Sequence, residues 1–473
     1  MSDNNNFDVV VLGGGTGGYV AAIRGAQLGL KVALVEKDKV GGTCLHRGCI
    51  PSKAYLRSAE LLHTFHQAKE FGIKAGGVEL DFGAVFARKE KIVGNLHKGV
   101  QGLLKKNGVT VFSGTGALVP PSIFSPNGLV SVMVDGQQEL LEFSKVIIAT
   151  GSRPKTMGIP VDGHSVMTSD EALARESLPK SVIIIGGGVI GMEWASLYND
   201  FGVQVTVLEF LPRILPTEDE EVSAELHKLM GRRKVTIHTG AAVDPASVKV
   251  SDGQVSLDAK IGEETRSFTA EAVLISTGRD PVTKGFGLEN REKLTYGKGG
   301  FIEVDGYGQT GDPNLFAIGD VVGGGLAHVA SHQGIIAMER IKGIETHAFE
   351  MHKVSRCIYT RPEVASVGYT EAQAKELGYE VKVGKFSWRG IGKALVHGSI
   401  DGFVKIVADA KTNDVLGVHM IGPEVTNLIS EAGLAMVLNA SAWEIGQTIH
   451  PHPTLSEILG EAALAVEGRA IHM

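Results

Sequence analysis

The sequence predicts an α/β protein in which one βαβ unit is inserted into another and a mixed α+β domain follows. Three observations carry this reading. A series of strand, glycine turn, helix, strand and acidic residue occurs twice. Each copy is followed, far downstream, by a strand that ends in a Thr-Gly pair. From about residue 348 the pattern changes to short strands and amphipathic helices. A chain of 473 residues exceeds what one core supports, and domain-size priors suggest about three or four folding units. Hydrophobic residues at 43% and charged residues at 21% suit a globular chain that buries large cores.

The first copy reads FDVVVLGGGTGGYVAAIRGAQLGLKVALVE, with Gly13, Gly15 and Gly18 in GxGxxG register and Glu36 ending its second strand. The second reads SVIIIGGGVIGMEWASLYNDFGVQVTVLE, with Gly186, Gly188, Gly191 and Glu209. Glu36 lies 23 residues after Gly13, and Glu209 lies 23 after Gly186. One GxGxxG would mean little among 62 glycines, but two in full βαβ context at matched spacing are specific. The first glycine permits the tight turn, the second lets backbone amides approach a pyrophosphate at the helix N-terminus, and the third lets helix and strand pack closely. The acid then accepts hydrogen bonds from a ribose hydroxyl, where a 2'-phosphate would be repelled. The alternative is a pair of glycine-rich turns that hold no ligand.

The Thr-Gly strands are VIIATGS, around Thr150 and Gly151, and VLISTGR, around Thr277 and Gly278. They place a first dinucleotide domain at 1–149, a second at 150–276, and the return to the first at 277–347. There FIEVDGYGQTGDPNLFAIGD supplies a further strand ending at Asp320. The remaining domain, 348–473, carries the strand candidates CIYT, ASVGYT, GFVKIVAD and VLGVHMIG. It also carries a helix near 424–439, with Leu428, Ala432, Ala435, Met436 and Val437 on or near one face.

A formal charge of -7 and the absence of a polybasic run argue against nucleic acid or an anionic membrane as partner. Met1 to Asn6 lack the basic and apolar regions of a signal peptide. No apolar run approaches the roughly 18 to 20 residues of a membrane span, so a cytoplasmic location is expected. In a reducing compartment, three cysteines argue against a structural disulfide framework and make a closely spaced pair a candidate for redox chemistry.

That pair lies in GGTCLHRGCIPSK, as Cys44 and Cys49. A regular helix would point the two to different faces, too far apart for a disulfide, whose Cα atoms sit about 4.4 to 6.8 Å apart. A bridge therefore requires a distorted helix start, and such a start lowers thiol pKa through its unpaired amides. Two unrelated buried cysteines and half of a zinc site are the alternatives. No second pair exists, Cys357 stands alone, and no metal is expected.

Taken in order, GGGTGG with Glu36, GGTCxxxGCIPSK, GGGVIGMEWAS with Glu209, NLFAIGD, LAHVASHQG and HPHPTLSE resemble the pyridine nucleotide disulfide oxidoreductases over essentially the whole chain. The resemblance implies two Rossmann-like domains, with FAD at the first fingerprint and the nicotinamide nucleotide at the second. It also implies a C-terminal dimerisation domain and hence a homodimer. It carries Asp320 to the ribityl side of the flavin, brings Leu326, Ala327 and His328 near the isoalloxazine, and sets Lys53 beside flavin N5, paired with Glu193. A solvated surface pair is the alternative for Lys53 and Glu193.

Within the family, Glu209 followed by FLPRILP suits NAD, and GRAIHM lacks the terminal cysteine pair of mercuric reductases. HPHPTLSE and GPEVTNLISEAG are similar to dihydrolipoyl dehydrogenases, and GGTCLH is similar to the type serving branched-chain 2-oxo acid dehydrogenase complexes. Most lipoamide enzymes carry Asn where this chain has His46. A solvated or backbone-bonded ring is one reading of His46, and tuning of the cysteines is the other.

The activity so implied is oxidation of dihydrolipoyl groups to lipoyl disulfide, with electrons passing through a Cys44–Cys49 disulfide and FAD to NAD. Cys44 performs the interchange with substrate and Cys49 lies against the flavin. His452 is the expected base, with Glu457 orienting its ring and Pro453 at position N1 of the helix that turns PTLSE back. The His452–Pro453 bond is expected cis, His450 competes for the role of base, and His452 serves the disulfide of the other chain of the dimer. The implied partners are the lipoyl domains and the subunit-binding domain of a 2-oxo acid dehydrogenase acyltransferase. An NAD(P)H-dependent reductase of glutathione, coenzyme A disulfide or a metal ion is the alternative enzyme. A non-enzymatic flavoprotein would have lost Cys44, Cys49 or His452. His63, His66, His97, His227 and His238 read as solvated, and Trp194 and Trp388 as packing residues.

Overall fold

A computed structural model describes residues 5–74, 76–120 and 128–472. The chain divides into two compact units, one from Met1–Tyr55, Asp81–Lys155 and Gly278–Glu350, the other from Leu56–Leu80, Thr156–Thr277 and Met351–Met473.

The first unit is built on a seven-stranded sheet. Asn6–Leu12 lies at its centre and pairs in parallel with Val32–Glu36 on one side and with Gln137–Ile148 on the other. Val9, Val10 and Val11 are fully buried. That burial on both faces is why VVVL is a continuous apolar run rather than an alternation. Leu315–Ala317 adds in parallel to Gln137–Ile148, so the chain returns to its first sheet after 278. This strand ends three residues earlier than expected, and Asp320 falls instead in the 3₁₀ turn Gly319–Val322. The helix Thr16–Gln27 crosses the helix Ala327–Lys342 at van der Waals contact, since a Cβ at Gly334 would stand 2.7 Å from the Gly17 carbonyl oxygen. Arg24 and Glu339 close the crossing with an ion pair at 2.6 Å.

The second unit holds a five-stranded parallel sheet with Ser181–Ile185 between Gln204–Glu209 and Ala272–Ile275. A separate four-stranded antiparallel sheet within 241–270 was not foreseen. A third, antiparallel sheet orders Arg356–Ile358, Glu363–Gly368, Val415–Gly422, Phe403–Asp409 and Val381–Ser387. Trp388 is fully buried in the core beside it, and Trp194 is buried in its own helix. Helix Val425–Val437 buries Val425, Ile429, Ala432, Ala435 and Met436, a spacing of three and four residues that keeps one face inward. Val437 lies off that face and is 60% exposed, as is Leu434, which corrects the expectation that Val437 shares the apolar stripe.

A buried lysine gathers carboxylates in this unit. Lys405, 2% exposed, meets Asp219 at 3.1 Å, Glu221 at 2.8 Å and Glu371 at 2.8 Å. Hydrogen bonds from Lys375 and Lys405 hold the Glu371 carboxyl down at about 2. A carboxylate whose folded pKa is depressed contributes stability above its unfolded pKa and loses it as pH falls toward the folded one. Lys405→Met should therefore lower the unfolding free energy by about 3 kcal/mol at neutral pH, read from urea denaturation. The deficit should shrink as pH falls from about 4.5 toward about 2 and the stranded carboxylates protonate. Unchanged stability at neutral pH would contradict this account of the cluster.

Candidate active site

Both glycine turns have the same internal logic. Gly13 (φ +105°) and Gly186 (φ +108°) adopt backbone conformations that side chains avoid, and a Cβ at Gly18 or Gly191 would fall 1.8 or 1.9 Å from the carbonyl oxygen of Gly13 or Gly186. The middle glycines differ. At Gly15 the nearest atom to an added Cβ is the Gly42 Cα at 4.0 Å, and at Gly188 nothing lies within 4 Å. The protein itself leaves the space before the helices Thr16–Gln27 and Val189–Asp200 open, and the donors there suit a pyrophosphate.

The two acids do more than await a ribose. Glu36 accepts the Gly14 amide at 2.6 Å and the Asp38 amide at 2.8 Å. Glu209 repeats this with the amides of Gly187 and, at 2.7 Å, Leu211. Each carboxylate latches its own glycine turn.

Thr150 donates its hydroxyl to the Val282 carbonyl at 2.7 Å. Gly151 and Gly278 take positive φ at the ends of their strands, and the short strands that follow, Ser152–Pro154 and Arg279–Pro281, pair antiparallel. Sequence reasoning missed Ser152 and Arg279. The Arg279 guanidinium donates to the Ser152 hydroxyl at 2.7 Å and to its carbonyl at 2.9 Å, and Ser152 in turn donates to Asp320. Their only signal was position directly after each Thr-Gly pair. Leu326 caps the helix Ala327–Lys342, so Ala327 and His328 stand in its first turn.

The cysteines sit on two helices. Gly42–Arg47 carries Cys44, Cys49–Gln67 begins at Cys49, and Gly48 (φ -150°, ψ -115°) interrupts the run. The break falls between the cysteines, which corrects the expected distortion at the helix start. A Cβ at Gly48 would stand 3.1 Å from the Thr43 carbonyl oxygen, so the break is crowded by the preceding turn. Both cysteines are thiols here, in hydrogen-bond contact with one another, with Cys44 half-buried and Cys49 exposed. That bond, with burial, pushes the Cys44 thiol well up, against a weaker lowering by Thr16. The expected acidification by the helix start does not govern Cys44 in the dithiol state.

Gly41 and Gly42 set the pair against the first fingerprint. The Gly41 amide donates to the Gly14 carbonyl at 2.7 Å, and a Cβ at Gly42 would meet the Gly15 Cα at 2.5 Å. The ring of His46 bonds the Val40 carbonyl through Nε2 at 2.9 Å and meets His97 edge-on at 5.0 Å. His97 therefore has a ring partner, and burial followed by His46 lowers its pKa. Lys53 stands one turn beyond Cys49 on the same helix, in the first unit. Glu193 is buried on Val189–Asp200 in the second and accepts the Tyr359 amide at 3.0 Å.

His452 Nδ1 meets Glu457 Oε1 at 2.8 Å, and Glu457 Oε2 accepts the Thr454 amide at 2.8 Å. Burial raises the Glu457 pKa, but the His452 bond and the Thr454 amide outweigh it, and the carboxyl is held below its ordinary range. The His452–Pro453 bond is cis. Pro453 is not at N1, since the helix Glu457–Val466 is capped by Ser456 and begins at Glu457 itself. The His452 side chain is 77% exposed, whereas that of His450 is 7% exposed and tied to Glu431.

Among the described residues no cluster of three or more His, Cys, Asp or Glu could hold a metal ion. None of their helices is long and apolar enough to cross a membrane.

The glycine geometry makes a prediction. Gly15→Val should fold, because only the Gly42 Cα lies near, yet it should crowd a pyrophosphate and yield a folded, colourless protein. Gly18→Ala should fail to fold. Circular dichroism and flavin absorbance report both, and a wild-type flavin content in Gly15→Val would contradict the assignment.

A family model described as pyridine nucleotide-disulphide oxidoreductase matches residues 7–334, and the dimerisation domain of that family matches 354–463. The dihydrolipoyl dehydrogenase of Bacillus subtilis is 56% identical over 98% of this chain and 99% of its own. That of Zymomonas mobilis is 42% identical over 99% of both. Among solved structures, LpdA from Mycobacterium tuberculosis superimposes with a TM-score of 0.89 at 28% identity, covering 96% of this chain and 98% of that one. The Cu(II) complex of the HOCl-induced flavoprotein disulfide reductase RclA from Escherichia coli gives 0.84 at 26% identity, over 97% and 99%. With its paired glycine turns, its adjacent thiols and full-length likeness to dihydrolipoyl dehydrogenases, the chain belongs to the pyridine nucleotide-disulphide oxidoreductase family, whose enzymes of this type use FAD and NAD.

Proposed function

We propose that the protein oxidises dihydrolipoyl groups of a 2-oxo acid dehydrogenase complex to lipoyl disulfide. The observation that carries this reading is the exposed His452 imidazole, held by Glu457 so that Nε2 is left to take a proton. FAD and NAD, when bound, supply the two-electron acceptor and its outlet. Gly13, Gly15, Gly18 and Glu36 hold the first of them, and Gly186, Gly188, Gly191 and Glu209 the second. Thr150, Gly151, Gly278, Asp320, Leu326, Ala327, His328, Lys53 and Glu193 complete the sites.

The residues of the chain perform the sulfur chemistry. In the oxidised protein Cys44 and Cys49 share a disulfide. His452 takes the proton of one dihydrolipoyl thiol, and the resulting thiolate attacks Cys44 Sγ. The Cys44–Cys49 bond breaks and Cys49 leaves as a thiolate. The second substrate thiol displaces Cys44, closing the lipoyl disulfide and leaving the pair reduced. Glu457 stabilises the imidazolium formed at the first step.

The segments 1–149, 150–276, 277–347 and 348–473 act as FAD, NAD, central and interface domains of a cytoplasmic homodimer. In that dimer His452 serves the thiol pair of the partner chain. Leu434 and Val437, left exposed on Val425–Val437, offer apolar surface for a two-fold contact. The acyltransferase of the complex presents the lipoyl domain and a subunit-binding domain.

A steady-state assay of the purified protein tests the reading. Dihydrolipoamide with NAD should turn over far faster than glutathione disulfide with NADPH. NAD should be preferred to NADP by at least about tenfold, because the Glu209 carboxylate repels a 2'-phosphate. Equal use of both nucleotides would overturn the NAD assignment, and turnover of glutathione disulfide alone would overturn the substrate.

A further inference from the structure

The HPHP segment carries two histidines, and the sulfur chemistry above uses only one. The other, His450, is buried, and its Nε2 meets Glu431 Oε1 of helix Val425–Val437 at 2.7 Å. With that nitrogen engaged and the side chain 7% exposed, the ring has no route to a substrate thiol. It lies instead against the helix that begins with Glu457. A Cβ at Gly460 would stand 3.0 Å from His450 Nδ1, and Gly460 is three residues after Glu457, on the same face of that helix. The absence of a side chain at Gly460 is what admits the ring.

We propose that His450, held by Glu431, is a positioning residue that sets the basicity of His452 through Glu457. Once His452 has taken the substrate proton, the four groups alternate in sign: Glu431, His450, Glu457, His452. The Glu431 hydrogen bond outweighs burial and raises the His450 pKa, with the Thr448 backbone and the Glu457 carboxylate adding to it, so the ring keeps its proton to higher pH than a free imidazole. In return, the charge on His450 helps to hold Glu457 ionised. A carboxylate shared between two imidazoles stabilises a proton on either one less than it would alone. Glu457 therefore orients His452 without binding its proton so firmly that the base fails to release it at the end of each turnover. The charged groups facing His450 are Glu431 from one helix and Glu457 from the other.

The inference rests on His452 being the base, and one experiment separates the two claims. The pH dependence of kcat/KM for dihydrolipoamide oxidation is measured in the wild-type protein and in His450→Gln, Glu431→Gln and His452→Gln. A base acts when deprotonated, so activity falls on the acid side of its pKa. Removing the His450 cation stabilises the proton on His452 and should move the acid limb up by about half to one pH unit. Glu431→Gln should move it in the same direction by less, because it removes a negative charge along with the proton on His450. KM should change little in either variant. Glu431 is 35% exposed, so Glu431→Gln should fold and carries the test should His450→Gln not fold. Lowered activity with an unmoved acid limb in both variants would show that the pair only packs, and would overturn the inference while leaving the base in place. A wild-type acid limb in His452→Gln would overturn the base assignment, and the inference with it.

Discussion

Two sulfurs five positions apart form a reversible bond only if the chain between them abandons helical geometry, and the break at Gly48 is the constraint from which the rest of the site follows. An unbroken helix would keep Cys44 and Cys49 apart on different faces. Ending one helix at Arg47 and starting another at Cys49 brings the thiols into contact while leaving both on regular, packed elements. The preceding double glycine then lets the first of these helices lie against the first fingerprint turn, through the Gly41 amide and the close approach of Gly42 to Gly15. The redox pair and the open space before the helix Thr16–Gln27 are thereby fixed by one set of backbone contacts within one unit.

Repetition governs the nucleotide sites in the same manner. In each copy the outer glycines are imposed by the protein's own carbonyl groups, the middle glycine is imposed by nothing the protein contains, and the acid at the second strand end is bonded to its turn. A latch of this kind preorganises a loop that would otherwise lose entropy when a dinucleotide binds. Glu209 is buried to 7% exposure, so its charge acts at short range and with little screening. The carboxylate of the C-terminal dyad follows related physics: Glu457 is satisfied by the Thr454 amide and the His452 imidazole, and the exposed ring of His452 is aimed by a partner less exposed than itself.

Much of this was legible in the sequence because the signals were local or repeated. Buried parallel strands announced themselves as apolar runs, and the glycine spacings came twice. What escaped notice depended on contacts distant in sequence. Val381–Ser387 reads as polar because it is an edge strand carrying Lys382 and Lys385, residues that protect an open edge but hide the strand pattern. Ser152, Arg279 and Asp320 form a cluster only after two short strands pair across more than a hundred residues. The position of the break at Gly48, and the placement of Pro453 in a turn rather than at N1, depend on packing that no spacing rule encodes. Val437 follows Met436 in an apolar run, yet neighbouring positions on a helix point about 100° apart, and Val437 is left outside the core.

The central claim is that Cys44 and Cys49 cycle between dithiol and disulfide in the course of turnover. Thiol titration in denaturant tests it most directly, because the chain has three cysteines. Protein isolated in air should show one thiol, from Cys357. The same protein treated with dihydrolipoamide in the absence of NAD, and freed of excess substrate, should show three. Three thiols in both states would contradict the account, since the pair would then never form the bond on which the proposed chemistry depends.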